Sequence, residues 1–133
     1  MNTTELFSLQ GRVALVTGGS RGIGRMIAKG LLCQGARVYI TARKAAACDE
    51  TAKELSAFGT CISMPLDVST NEGIAQLVKQ LGEKEQHLNI LINNAGIIVR
   101  ESMDSPNVAD NLSKTLEVNV MGTFHPTHAW LHA

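Results

Sequence analysis

The sequence predicts an α/β fold, a doubly wound parallel sheet of four strands in the order 3-2-1-4 with helices on both faces. Two observations carry it. Short apolar runs alternate four times with segments of helical period, the pattern of parallel strands joined by crossover helices. The first run also ends in glycines that lead straight into a helix. Right-handed crossovers from the first strand out to the third, then back to the fourth, set the order.

RVALVT (12–17) is a short apolar run closed by glycines, as a buried strand requires. From Gly22 the period changes, and Ile23, Ile27, Ala28 and Leu31 mark one helical face with Arg25 and Lys29 off it. Gly35 ends that helix, and ARVYIT (36–41) is the second strand. Residues 45–57, rich in Ala, Glu and Lys, read as a second helix. TCISMPL (60–66) is the third strand, and DVS turns out of it. Ile74, Leu77, Val78 and Leu81 mark the third helix. LNILIN (88–93) is the fourth strand, broken by NAG, and a polar loop through Pro106 leads to a final helix over roughly 108–131. Its apolar residues Leu112, Leu116, Val120 and Phe124 recur at fours, a stripe expected to face the core with Asn119 inside it. Pro126 removes one helix hydrogen bond, toward Gly122, and is expected to kink or end the helix.

The 133 residues suffice for one compact domain, 1–133, with a real core. Twelve basic residues balance twelve acidic ones, so no global field recruits nucleic acid or an anionic membrane. No apolar run approaches the roughly 20 residues that span a bilayer, and the first residues lack the basic and apolar regions of a signal peptide. Cys33, Cys48 and Cys61 are odd in number and share no metal-ligand spacing, which fits reduced thiols in the cytoplasm.

The chemistry gathers at the carboxyl ends of the strands, where ligands bind in open sheets of this kind. TGGSRGIG (17–24) sits between a strand and a helix, the context that gives a glycine-rich run its meaning. Gly18 and Gly19 allow a tight turn, while Gly22 and Gly24 let backbone approach a phosphate and the helix pack on the strand. Backbone N–H groups and the helix dipole then point at a pyrophosphate, as in a Rossmann-type dinucleotide site. At the end of the second strand an acidic residue would bind the ribose hydroxyls and repel a 2′-phosphate; the chain has Ala42 and Arg43 instead. Arg43 and Arg21 are each either solvated charges or phosphate ligands; together, with the acid absent, they favour NADP(H) over NAD(H). Asp67, Asn93 and Gly96 lie at the same edge, with turn chemistry as the plainer reading of each. His125, His128 and His132 share a helical face without a carboxylate nearby, and solvated or interface imidazoles explain them better than a metal does.

TGGSRGIG, Asp67-Val68, Asn93-Asn94-Ala95-Gly96 and Asn119 in LEVNVMGTF together resemble the short-chain dehydrogenase/reductase family, from about Leu9 to Leu131. FSLQGRVALVTGGSRGIG with Arg43 is most similar to NADPH-preferring members, among them 3-oxoacyl-carrier-protein reductases. The resemblance implies that Gly18, Ser20, Arg21, Gly22, Ile23, Gly24 and Arg43 bind the cofactor. It adds Asp67 on the adenine amino group with Val68 beside it, and Asn93, Ala95 and Gly96 along the ribose and pyrophosphate. Asn119 matches the family asparagine that helps hold a proton-relay water, the family's one catalytic position present here. The family reduces carbonyls with a Ser, and with a Tyr and a Lys spaced Tyr-x-x-x-Lys. The single tyrosine, Tyr39, lies mid-strand with Arg43 four residues on, and Ser102 and Ser105 precede the last helix. The chain is therefore expected to be catalytically incomplete, a sheet lacking its remaining strands. The fourth strand would then be an open edge and the last helix a surface for self-association. A short product that binds a nucleotide or a partner without catalysis is the alternative, and an interaction module without cofactor a third.

Overall fold

The computed structural model describes residues 2–97 and 102–132. The elements run α1 (Thr3–Leu6), β1 (Val13–Thr17), α2 (Gly22–Cys33), β2 (Arg37–Thr41), α3 (Ala45–Leu55), β3 (Cys61–Ser63), α4 (Asn71–Lys84), β4 (Ile90–Ile92), α5 (Val108–Leu116) and α6 (Gly122–Leu131), with a π turn over Glu117–Met121. The sheet is parallel, in the order β3-β2-β1-β4 that the crossovers predict.

Successive strand side chains point to opposite faces, and the core divides accordingly. Ala14, Val16, Val38 and Ile40 pack on Ala28 and Leu32 of α2 and on Cys48, Ala52 and Leu55 of α3. Leu15 and Tyr39 face the other way, onto Ile74, Leu77 and Leu81 of α4, with Ala129 and Trp130 of α6 against them. Tyr39 is fully buried, as a strand residue should be. Its hydroxyl donates to Glu85 Oε1 at 2.6 Å, which Arg37 Nε also reaches at 2.6 Å, so the end of α4 is pinned to β2.

The outer strands are shorter than their apolar runs. After Ser63 only Met64 still donates, to the Ile40 carbonyl at 2.9 Å, and Pro65 has no N–H with which to continue. Before Ile90 the ladder continues by other means: Asn89 N–H donates to the Val13 carbonyl, while Asn89 Oδ1 accepts from Val13 N–H at 2.9 Å.

The last helix corrects two expectations. The helix runs through Pro126 to Leu131, and its irregularity lies upstream, where the Gly122 N–H reaches the Glu117 carbonyl in a π turn. Pro126 sits early in α6 and forfeits a single bond, while its ring is buried. The stripe read as core-facing is open: Leu112, Leu116, Val120 and Phe124 are 50–57% exposed. The helix rests on the core through Pro126, Ala129 and Trp130 instead. Four-residue spacing marks an apolar face but carries no information on what covers it.

Candidate cofactor site

The turn between β1 and α2 is built on contacts that only glycine permits. Gly18 and Gly22 hold φ of 65° and 57°, in the left-handed region. A Cβ on Gly24 would lie 2.2 Å from the Gly18 carbonyl oxygen, and one on Gly18 would lie 2.9 Å from Ala95 Cα. At Gly22 a Cβ would meet nothing within 4 Å, so that residue serves the backbone angle and leaves open space at the helix start. The turn is anchored on both sides, Gly19 N–H donating to the Thr41 carbonyl at 3.1 Å and Thr51 Oγ1 to the Ser20 carbonyl at 2.7 Å.

Helix α2 opens at this turn with no acidic residue in its first turn and no side-chain cap from Arg21. Its first N–H groups and the positive end of its dipole are therefore available to an anion. Arg21, Ile23 and Arg43 are exposed, and Ala42 is half-buried where a cofactor-discriminating acid would stand. Thr41, next to it, is 1% exposed, and its Oγ1 is buried without a hydrogen-bond partner among the described residues. A buried hydroxyl of that kind costs free energy until something polar reaches it.

The third wall follows β4. Thr17 Oγ1 accepts from both Asn94 N–H and Ala95 N–H at 3.0 Å, and Asn94 Nδ2 donates to the Gly18 carbonyl at 3.2 Å. These bonds fix Ala95 against the glycine turn. The Asn93 side chain turns to α6, Nδ2 donating to Thr127 Oγ1 at 3.0 Å, so its main chain is what it can offer a cofactor. Asn119 accepts from Ile97 N–H at 2.7 Å and donates to the Ile97 carbonyl at 2.8 Å. Its amide thus serves as a one-residue strand partner for the chain leaving β4, and Gly96 lies beneath it, where a Cβ would come within 3.1 Å of Asn119 Oδ1.

After β3, Asp67 Oδ1 accepts from Ser69 N–H at 2.9 Å and Ser69 Oγ at 2.6 Å, an Asx turn that sets the loop. Val68 is buried in the core. A Cβ on Gly73 would lie 1.9 Å from the Asp67 carbonyl oxygen, so α4 can press this close only through a glycine.

The structure therefore brings the ends of β1, β2 and β4 together by hydrogen bonds, with the Asp67 loop leaving β3 at the same edge of the sheet. Sequence reasoning missed Thr17, Thr41, Asn94 and Gly73. The polar residue closing an otherwise apolar strand was the signal for Thr17 and Thr41, and a glycine three residues after a helix-capping threonine was the signal for Gly73. The histidine rings pack along the helix: Phe124 stacks on His128 with centroids 5.6 Å apart, and His128 lies 4.5 Å from His132. Among the described residues no group of three His, Cys, Asp or Glu could hold a metal ion, and no helix is long and apolar enough to cross a membrane.

Comparison with known proteins agrees with this geometry. The short chain dehydrogenase family model matches residues 12–133. The rhamnolipids biosynthesis 3-oxoacyl-acyl-carrier-protein reductase of Pseudomonas aeruginosa is 51% identical over 118 residues, which cover 89% of this chain and 46% of that protein. Retinol dehydrogenase 11 of Mus musculus is 34% identical over 131 residues, 96% of this chain and 40% of that protein. Among solved structures, the Pseudomonas aeruginosa RhlG/NADP active-site complex superposes with a TM-score of 0.90 at 49% identity, over 94% of this chain and 48% of that one. A short-chain type dehydrogenase/reductase from Mycobacterium marinum gives 0.91 at 30% identity, over all of this chain and 54% of that one. The chain spans about half the length, or less, of the relatives that it matches. It belongs to the short chain dehydrogenase family.

Proposed function

We propose that these 133 residues form a single NADP(H)-binding domain of a carbonyl/alcohol oxidoreductase and that by themselves they bind cofactor without turning it over. The observation that carries this is an uncapped, acid-free helix start facing a β2 end where Ala42 and Arg43 replace a carboxylate. An acid there would repel a 2′-phosphate; Arg43 and Arg21 attract one. Thr41 Oγ1, buried at the same edge without a hydrogen-bond partner among the described residues, adds a donor that an NADP-sized ligand would satisfy.

In this reading Gly18, Ser20, Gly22, Ile23 and Gly24 seat the pyrophosphate and helix start, and Arg21 and Arg43 bind the 2′-phosphate. Asp67 and Val68 border the adenine, while Asn93, Ala95 and Gly96 line the ribose side through main chain. The bound nicotinamide would supply hydride chemistry. Asn119 holds the backbone after β4 in place, a reading supported by its paired bonds to Ile97. Proton delivery needs a tyrosine and lysine that these residues do not furnish: Tyr39 is buried and committed to Glu85. Burial, and then its bond to Glu85, raises that phenol's pKa, the reverse of what a proton donor near neutral pH requires. The relatives' names, a 3-oxoacyl-acyl-carrier-protein reductase among them, support a carbonyl substrate.

A specific observation supports a second property. The open apolar stripe on α5–α6 and the edge position of β4 suit self-association into a homo-oligomer. The three free cysteines fit a reducing cytoplasm.

The test is calorimetric titration of the folded chain with NADP⁺ and with NAD⁺. Micromolar binding with NADP⁺ preferred, and a preference reduced about tenfold by Arg43→Ala, is expected from one lost charge-assisted contact. Absence of binding to either nucleotide would sink the reading and leave the partner-binding alternative.

A further inference from the structure

Threonines inside helices commonly satisfy their hydroxyls on their own backbone, one turn back. Thr115, Thr123 and Thr127 do so here, donating to the carbonyls of Asn111, Asn119 and Thr123. Thr51, in the middle of α3, reaches elsewhere. It is 5% exposed, and its Oγ1 donates at 2.7 Å to the Ser20 carbonyl in the glycine turn, 31 residues earlier in the chain. One turn further along α3, Glu54 pairs with Arg25 of α2. Helix α3 is thereby fastened both to the turn and to the helix that the turn opens.

This bond fixes the orientation of the next residue as well. A trans peptide points its C=O and N–H in opposite directions. Drawing the Ser20 carbonyl toward α3 therefore turns the Arg21 N–H away from α3, and no acceptor among the described residues takes that N–H. Arg21 is extended, with φ −158° and ψ 168°, and its exposed side chain makes no cap on α2. Arg43 stands across this junction, just before α3 begins at Ala45. The two arginines thus lie on different elements, one on the glycine turn and one on the approach to α3, and Thr51 joins those elements.

We propose that Thr51 is a positioning residue for cofactor choice: by holding the Ser20–Arg21 peptide against α3 it keeps Arg21 in register with Arg43 for one 2′-phosphate. The proposal rests on the NADP(H) reading above and adds to it a buried residue that acts through Arg21. Two guanidinium groups on one phosphate gain from a fixed separation, because less freedom is lost when the second bond forms. A cofactor without the 2′-phosphate asks for neither arginine and relies on the helix start, which the contacts of Gly18 and Gly24 shape. The effect of Thr51 therefore falls on the difference between the two nucleotides.

Calorimetric titration of the 133-residue chain with NADP⁺ and with NAD⁺ tests this in the wild type and in Thr51 and Arg21 variants, with thermal unfolding to follow the fold of each. Thr51→Val keeps the side-chain shape and deletes the donor, and the NADP⁺ preference should fall about fivefold, within the range of one net hydrogen bond. Thr51→Ala deletes the same donor while raising helix propensity, and it should give the same fall where valine is not accommodated. Thr51→Ser keeps the hydroxyl and should retain the wild-type preference. In an Arg21→Ala background Thr51→Val should change the preference no further, because the residue through which it acts is gone. Equal weakening of both nucleotides by Thr51→Val, or the same fall in preference with and without Arg21, overturns the positioning role while leaving the NADP(H) reading standing. A wild-type chain with no NADP⁺ preference overturns both.

Discussion

Around the glycine turn, a Cβ at Gly24 would come 2.2 Å from a carbonyl oxygen, and Thr17 Oγ1 alone serves two backbone donors. Along α5–α6, four large apolar side chains in a row are at least half exposed. The first region is crowded by contacts from this chain; the second has an apolar surface that the described residues leave uncovered. The two regions meet at Asn119, whose amide reaches from the open helix to the backbone leaving β4. Substitutions should therefore act on stability at one end and on association at the other.

The largest effect is expected inside the crowded region. Gly24→Ala should cost about 3 kcal/mol or more, since the methyl meets backbone that cannot move aside, toward the upper end of overpacking effects. Gly30, in the same helix, would place a Cβ in open space. There Gly30→Ala should stabilise by about 0.5–1 kcal/mol through helix propensity alone. Urea midpoints of the two variants measure both, and equal effects would dissolve the contrast between the helix faces.

That pair also shows which parts of the molecule were legible. Strand order and the glycine turn could be read because each depends on local chemistry: apolar runs, a period change, glycines at a strand end. Thr17, Thr41 and Asn94 escaped because their work is done across about 22–78 positions of sequence, which one sequence does not reveal. The open stripe was misassigned for the converse reason, since periodicity reports an amphipathic face equally well whether or not the chain covers it. Expectations that fell on residues 98–101 lie outside the described residues.

A smaller effect is expected at the far end of the sheet, where Glu85 holds Tyr39. Glu85→Leu should destabilise by about 2 kcal/mol, because the buried hydroxyl of Tyr39 loses its acceptor. The same network gives an alkaline limit. Folding holds the Tyr39 phenol above its ordinary pKa, chiefly by burial, so its contribution is intact below about pH 10 and declines as pH rises through the folded-state value. Chemical denaturation at rising pH should show the decline in the wild type and a weaker one in Tyr39→Phe; identical profiles would remove Tyr39 as the cause.

At the junction, Asn119→Asp keeps the oxygen that accepts from Ile97 N–H and removes the donor to the Ile97 carbonyl. A cost of about 1 kcal/mol is expected for one side-chain to backbone bond at an exposed site. Hydrogen exchange reads the split directly: the Ile97 amide should stay protected in Asn119→Asp and lose protection in Asn119→Leu. Equal loss in both would mean that the amide acts as a spacer and not as a strand partner.

The smallest change in stability, and the one that isolates the open face, belongs to Phe124→Ser. Phe124 is 55% exposed and its ring contacts are to His125 and His128 on its own helix. Truncating it should alter folding stability by no more than about 0.5 kcal/mol when measured on dilute, dissociated chain. At higher concentration the same substitution removes the largest apolar side chain of the stripe, and association should weaken severalfold or more. A loss of folding stability comparable to that of Gly24→Ala would show that the face is already covered within the monomer. Unchanged stability together with unchanged association would show that the stripe is exposed and has no partner at all. Only the pairing of an unaltered fold with weakened association places the missing cover on a second copy.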